Sequence, residues 1–282
     1  MNPATHAIRV GLNRGWIEFT NSLRSPQDLG FYFFTALGTL AYLFFNRHDD
    51  WEGLPYPSVV LPSILGALVA FGAYIGPMYS LAIEREDGTL LRAKAVPRGM
   101  TGYVTGQVLF QSLSALPLLV VIVVPSLFLF EIITERGMIA WLMVLGIAAL
   151  GLLAVLPIGM IVGSLIKGPN KIGTWGMLPM VIMFGTSGIF YPLQELWEWV
   201  QVAVQLLPMY WLGLGMRSAL LPADAAAAEL GGSWRTLEML GVLGAWAIIG
   251  LLLAPPVLRR VARRQSGSAV EAGRHEAMRR VQ

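Results

Sequence analysis

The 282-residue sequence contains no cysteine, which excludes disulfides, thiolate nucleophiles and cysteine metal sites. Its three histidines, His6, His48 and His275, are scattered outside every apolar block, so no metal cluster follows from their spacing. Charge is scarce: Asp, Glu, Lys and Arg make up 13% of the chain, against about a quarter in soluble domains. No Gly-x-x-x-x-Gly-Lys-Ser/Thr loop is present, which excludes nucleotide binding by a P-loop. Neither Gly-x-Ser-x-Gly nor His-Glu-x-x-His occurs, and no aspartate lies in an apolar block, so an intramembrane hydrolase would lack both nucleophile and base. What the chain has in excess is apolar surface, with 55% hydrophobic residues and a mean hydropathy of +0.62. That length and composition suit a helical membrane bundle of about six spans, each needing ~20 apolar residues.

Six blocks have that character: Leu29–Phe45, Val59–Ile83, Tyr103–Phe130, Met138–Ile166, Ile172–Phe190 and Leu237–Leu258. The predicted fold is an all-α integral membrane protein with six transmembrane helices. The first five blocks contain no Asp, Glu, Lys, Arg or His, and the sixth only Glu238 at its edge. An ionisable group at the bilayer centre costs at least about 2.5–3.5 kcal/mol, a cost proton-coupled carriers bear to link proton and substrate movement. Its absence argues against a proton-driven carrier and less strongly against sodium coupling through carbonyls. Gly72-x-x-x-Gly76 and Gly159-x-x-x-Gly163 would permit close helix packing, and Pro77 is expected to kink the second span. Thr35 and Thr39 share a mildly polar face of the first span, and Gln107, Gln111 and Ser114 share one on the third. Two readings fit these faces: hydrogen bonding between helices, or the lining of a transport path.

Outside the spans, residues 1–28 carry Ile8, Leu12, Trp16, Phe19 and Leu23 at helical spacing, with Arg9, Arg14, Glu18 and Arg24 largely off that stripe. This predicts an amphipathic helix in the cytoplasmic interface. Residues 192–221 read as two short helices at the outer surface, partly dipping into lipid, because neither is long enough to cross. Residues 259–282 form a basic tail opening with Arg259, Arg260, Arg263 and Arg264, a pattern that anchors a cytoplasmic end on anionic lipid rather than nucleic acid. With both termini inside, basic residues concentrate on the cytoplasmic side, leaving only Arg47, Arg136, Arg217 and Arg235 outside.

The densest charge lies between the second and third spans, over residues 84–100. Ile83, Leu90, Leu91 and Ala95 can share a helical face, Gly88-Thr89 offers a turn and cap, and Pro97 ends the helix. A short helix displayed there is a docking element for a soluble partner; the plainer alternative is a solvated charged loop. Glu84-Arg85-Glu86-x-Gly88-Thr89-Leu90, ending at Pro97, resembles the first cytoplasmic loop of type-2 ABC exporter permeases. The run Ser187-Gly188-Ile189-Phe190-Tyr191-Pro192-Leu193, followed by Leu206-Leu207-Pro208 and Arg217–Leu221, resembles the same family, with daunorubicin-resistance-type drug efflux permeases as near relatives. The resemblance implies that Glu84, Arg85, Glu86, Gly88, Thr89, Leu90 and Pro97 form a coupling helix against a separate ATPase subunit, two copies of which would bind ATP and Mg. This chain itself would hold no cofactor. It also implies a second permease subunit, re-entrant helices before the last span, and a bacterial cytoplasmic membrane location. The path between the two permeases would be lined by Thr35, Thr39, Gln107 and Gln111 and would carry a lipophilic or amphiphilic substrate. Lipid-linked glycan export and a gradient-driven carrier are the alternatives.

Overall fold

The computed structural model describes residues 3–51, 54–86, 88–130, 137–166, 171–185, 187, 193 and 196–263. Among them are α1 (Pro3–Ser22), α2 (Pro26–Phe45), α3 (Tyr56–Glu86), α4 (Thr89–Ala95), α5 (Gly99–Leu129), α6 (Met138–Leu165), α7 (Met177–Gly185), α8 (Glu198–Val204), α9 (Pro208–Leu220) and α10 (Thr236–Arg263). A π-helical turn, Ile172–Gly176, leads into α7, and a 3-10 turn spans Asp224–Ala228. The non-helical exception is a minimal antiparallel pair, Asp50–Trp51 with Leu54–Pro55, in the α2–α3 connection.

Five helices are long and apolar enough to cross a membrane: α2, α3 through Arg85, α5, α6 and α10. The expected fifth span, Ile172–Phe190, is a shorter apolar helix over Ile172–Gly185, and residues 186 and 188–190 lie outside the described residues. The same holds for most of the quoted 187–193 run and for residues 264–282 of the basic tail.

Helix ends shift from the sequence expectation for local reasons. α2 starts at Pro26 rather than Leu29 because Ser25 caps it, its Oγ accepting the Asp28 N–H at 3.4 Å, with Pro26 in the first turn. α3 runs to Glu86, so Glu84 to Glu86 are its last turn rather than loop. It passes Pro62 and Pro77 as one continuous element. α10 continues through Arg259, Arg260 and Arg263, good helix formers whose charge suits a helix C-terminus.

Lipid gives helices little hydrophobic reason to associate, so close van der Waals contact decides which pairs form. The glycines mark those contacts. On α1, Ala7, Gly11 and Gly15 recur every four residues and meet Gly102 and Gly106 of α5; a Cβ at Gly11 or Gly15 would overlap the carbonyl oxygen of Gly102 or Gly106. This small-residue seam, unread in the sequence, turns the Ile8, Leu12 and Trp16 stripe outward, where all three are exposed. On α6, Gly159 and Gly163 lie directly on the α3 backbone at Tyr74 and Met78. Gly250 of α10 seats the Pro157 ring. Gly72, by contrast, faces open space, and Gly76 faces the Gln111 amide rather than a backbone.

The largest departure concerns α9. It was expected at the outer surface, partly dipping into lipid; instead every residue from Pro208 to Leu220 is buried against protein, among α3, α6 and α10. Small residues make the room: Leu212 fills the space over Gly151 midway along α6, Met216 lies over Gly66 of α3, and Gly215 admits Met239 and Ile147. From that depth α9 runs back toward the start of α3, where Arg217 meets Ser63. The turn leading into α9 is not itself buried, Leu206 being exposed, but its carbonyls have no helical partners and take other donors. Two indoles supply them, Trp211 Nε1 to Gln205 O at 2.6 Å and Trp246 Nε1 to Leu206 O at 2.8 Å.

The two glycine patterns separate cleanly by experiment. Gly159→Ala should lower the thermal midpoint in detergent, costing about 1–3 kcal/mol because backbone has to move. Gly72→Ala, with nothing within 4 Å of the added methyl, should leave the midpoint unchanged, read by intrinsic tryptophan fluorescence.

Candidate coupling surface

At the end where α1, α3, α5 and α6 converge, the charges of the 84–100 segment are used internally as well as displayed. Arg14 of α1 donates Nη2 to Glu84 Oε1 at 2.6 Å and Nε to Glu18 Oε1 at 2.7 Å, and its guanidinium lies 5.0 Å from the centre of the buried Tyr103 ring. Burial works to lower the Arg14 pKa, but the Glu84 charge and the Glu18 hydrogen bond and charge outweigh it and raise the value on balance. Arg14 therefore stays cationic, and the pair fastens α1 to the last turn of α3. Arg85 turns the other way. Its Nη1 donates to Ser164 O at 2.7 Å and Ile166 O at 2.9 Å, satisfying carbonyls that the C-terminus of α6 leaves without helical partners.

Beyond this base the chain reverses at Gly88, whose φ of 79° lies in the left-handed region that favours glycine. α4 follows. Leu90 is fully buried and pins the helix to the bundle, while Thr89 Oγ1 accepts from Arg92 Nη2 at 3.0 Å. Ile83, Leu90 and Ala95 do not share the face expected for them with Leu91. The turn at Gly88 puts Ile83 and Leu90 on different helices, leaving Ile83 52% exposed and Ala95 exposed. Arg92, Val96, Pro97 and Arg98 complete the outward surface. The side chains of Glu86, Leu91 and Lys94 lie outside the described residues.

The second group of candidate residues separates. Gln107 and Gln111 are buried, and the Gln111 amide packs over Gly76, filling the notch where α3 lacks a side chain. That is the environment of a group between helices. Thr35 and Thr39 are half-buried on α2, at the border of its buried face of Tyr32, Ala36 and Leu43.

Sequence reasoning passed over a second polar cluster. Arg217, set aside as an external charge, is 7% exposed and pairs through Nε and Nη2 with both carboxylate oxygens of Glu229. A lone arginine inside the otherwise apolar Met209–Leu221 run was the available signal, since a charge there needs a buried partner.

A short helix carried on the tip of the second long apolar helix, with a buried helix ahead of the last one, is a specific arrangement. The ABC-2 type transporter family model matches residues 15–221, from the Gly15 contact in α1 to the end of α9. The chain belongs to that family. No curated protein sequence matches it. As an ABC-2 member with several apolar helices long enough to cross a membrane, it is a multi-pass membrane protein and a transport subunit rather than a catalytic domain. The α1–α5 seam, the Arg14–Glu84 pair and the α4 turn all involve residues inside or bordering the matched range.

The Arg14–Glu84 contact should be measurable as a coupling energy. Its side chains are 30% and 13% exposed, between the exposed and buried limits, so Arg14→Ala with Glu84→Ala in a double-mutant cycle should return about 1–2 kcal/mol of thermal stability. A single Glu84→Ala should also loosen α1, read as faster hydrogen exchange over residues 11–18 than in the native protein.

Proposed function

We propose that this ABC-2 chain is the membrane permease of an exporter that moves a lipophilic or amphiphilic substrate, drug-like or lipid, across the bacterial cytoplasmic membrane. ATP and Mg would be bound and ATP hydrolysed by a separate ATPase subunit, two copies of which would serve a pair of permeases. Lipid-linked glycan export is the alternative cargo. In this reading the chain crosses six times, with Ile172–Gly185 and the residues after it as the fifth crossing and α8–α9 re-entering from outside. Both termini are cytoplasmic.

The observation that carries the reading is α4, a seven-residue helix standing on a braced base. Glu84 and Arg85, whose side chains are engaged by Arg14 and by the end of α6, are not contacts for the partner; they make α4 rigid relative to α1, α3 and α6. A push on α4 is then passed to three helices instead of being absorbed by the loop. The docking contacts fall to the outward residues Arg92, Ala95, Val96, Pro97 and Arg98, with Gly88 setting the angle and Leu90 the depth. Thr35, Thr39 and Gln107 remain candidates for the path; Gln111 serves first as a contact between α5 and α3.

Val96→Asp combined with Arg92→Glu changes only outward side chains. It should reduce ATPase co-purification, or the permease-stimulated ATPase rate, by about tenfold or more, the usual consequence of placing a wrong charge in a docking core. The thermal midpoint should not change. Native coupling by that double variant would show that α4 is not the docking element.

The energy source has its own test. In vesicles supplied with ATP, transport should continue after a protonophore collapses the proton gradient, and should stop when the partner ATPase loses its catalytic glutamate. Uptake driven by an imposed proton gradient with no ATPase present would favour the gradient-driven carrier, and Glu229, a half-buried carboxylate outside the six apolar blocks, is the first residue to replace in that case.

A further inference from the structure

Arg217 joins three separate pieces of the chain. It sits near the end of the buried helix α9 and donates Nη1 to Ser63 Oγ of α3 at 3.1 Å. Its Nε and Nη2 engage the two carboxylate oxygens of Glu229, the Nη2–Oε2 contact measuring 3.1 Å. Glu229 belongs to the segment between α9 and α10, which has little regular structure of its own beyond the turn Asp224–Ala228. Within that turn Ala226 is 6% exposed, whereas its neighbour Ala227 is exposed, so one side of the turn is pressed onto the protein. Gly231 and Gly232 follow, with φ of 84° and 64°, and then Arg235, a non-glycine residue at φ 42°. Arg235 fixes the far end of the segment: Nη1 donates to Gln205 Oε1 at 2.6 Å, Nε approaches Glu238 at 3.5 Å, and the guanidinium lies 4.9 Å from the Trp211 ring centre.

The ion pair adds to apolar contacts of the same segment, where Leu230 and Trp234 pack against the core. A bidentate arginine–carboxylate pair is strong only while both partners are seated, and removing one leaves the other charge buried and uncompensated. With Arg217 bonded to Ser63 and Glu229, α9 is held against α3 and the segment is held down. Two glycines then separate Glu229 from the Arg235 anchor, so the Glu229 end can lift while the Arg235 end stays fixed.

We propose that Arg217 and Glu229 are a latch on the outer side of the protein. They position α9 and the 222–235 segment in the closed state, and the pair opens when the permease releases substrate. The role in release rests on the permease reading above; the seated and lifted states do not.

The chain is free of cysteine, so single cysteines report cleanly. Ala226→Cys and Ala227→Cys are labelled in intact cells with a membrane-impermeant maleimide, and the ratio of their rates measures lifting. In the native protein Ala227→Cys reacts and Ala226→Cys reacts about tenfold more slowly or less, as expected for a site that must open locally first. Glu229→Gln should raise the Ala226→Cys rate by about fivefold or more without changing Ala227→Cys, because the neutral amide no longer compensates the buried guanidinium. The charge exchange Arg217→Glu with Glu229→Arg should restore slow labelling. Ser63→Ala removes a single neutral partner and should give a smaller rise, keeping the test available if Glu229→Gln does not fold. With the ATPase present, ATP turnover should raise the native Ala226→Cys rate.

An unchanged ratio in both Glu229→Gln and Ser63→Ala would overturn the latch. So would a charge exchange as fast as the single variants, which would make the pair mere space filling. If Ala227→Cys reacts only after lysis, the orientation fails, and the permease topology fails with it. If the ratio responds to the variants but not to ATP, the pair seats the segment without taking part in transport, and the latch is overturned as a transport element while the coupling experiment on Val96 and Arg92 stands independently.

Discussion

The structure depends on how closely helix backbones can approach where no hydrophobic force drives them together. Water is already absent around membrane helices, so a contact is gained by dispersion over a well-fitted surface, which falls off steeply with distance. Glycine is what allows that fit. The α1–α5 seam, the Gly159 and Gly163 contact of α6 on α3, the seating of Pro157 on Gly250, and the insertion of Leu212 over Gly151 all replace a side chain by another helix's backbone or apolar group. Removing the Cβ at these points sets how α1, α3, α5, α6, α9 and α10 approach one another.

Helix ends and turns leave backbone groups without helical partners, and these need other donors. The few charged and aromatic polar groups of this chain meet that need. Arg85 takes up two carbonyls at the end of α6, the indoles of Trp211 and Trp246 take up those of the α8–α9 turn, and Tyr74 donates to Gly176 O at 2.9 Å beneath the π-helical turn before α7. A sparse set of charges at the two ends of the bundle thus acts structurally first. At one end this makes the base of α4 stiff. At the other it fastens α9 and the segment after it. On the proposed permease reading, the first would be an input element that does not yield and the second an outer element that can be released as a unit.

The sequence was informative where a property is local. Long apolar runs mark α2, α3, α5, α6 and α10 because a span must be both helical and apolar, and Gly88 with Pro97 delimits α4 because backbone conformation and the missing proline N–H act within a few residues. It misled where a role depends on a partner elsewhere in the chain. Arg14 and Glu84 are 70 residues apart, and Arg217 reaches Ser63 across 154, so neither bond is visible as a pattern. Glu84 and Arg85 looked like displayed charges for the same reason, and α9 looked like a surface helix because its length excluded crossing while nothing local showed the space that Gly66 and Gly151 leave for it.

By itself the sequence determined that this chain is a multi-helix membrane protein with one charged helix, begun at a glycine turn, between its second and third long apolar segments, since hydropathy, helix length and turn chemistry are properties of neighbours along the chain; the expected Thr89 cap is not formed, Gly88 holding the N-cap position without a side-chain bond. Only the tertiary structure decided which glycines are contacts, which charges are spent inside, and that α9 lies within the bundle. Those outcomes follow from which surfaces meet, and in a medium that rewards all apolar surfaces alike, the meeting is settled by shape and by pairing of polar groups distant in the chain.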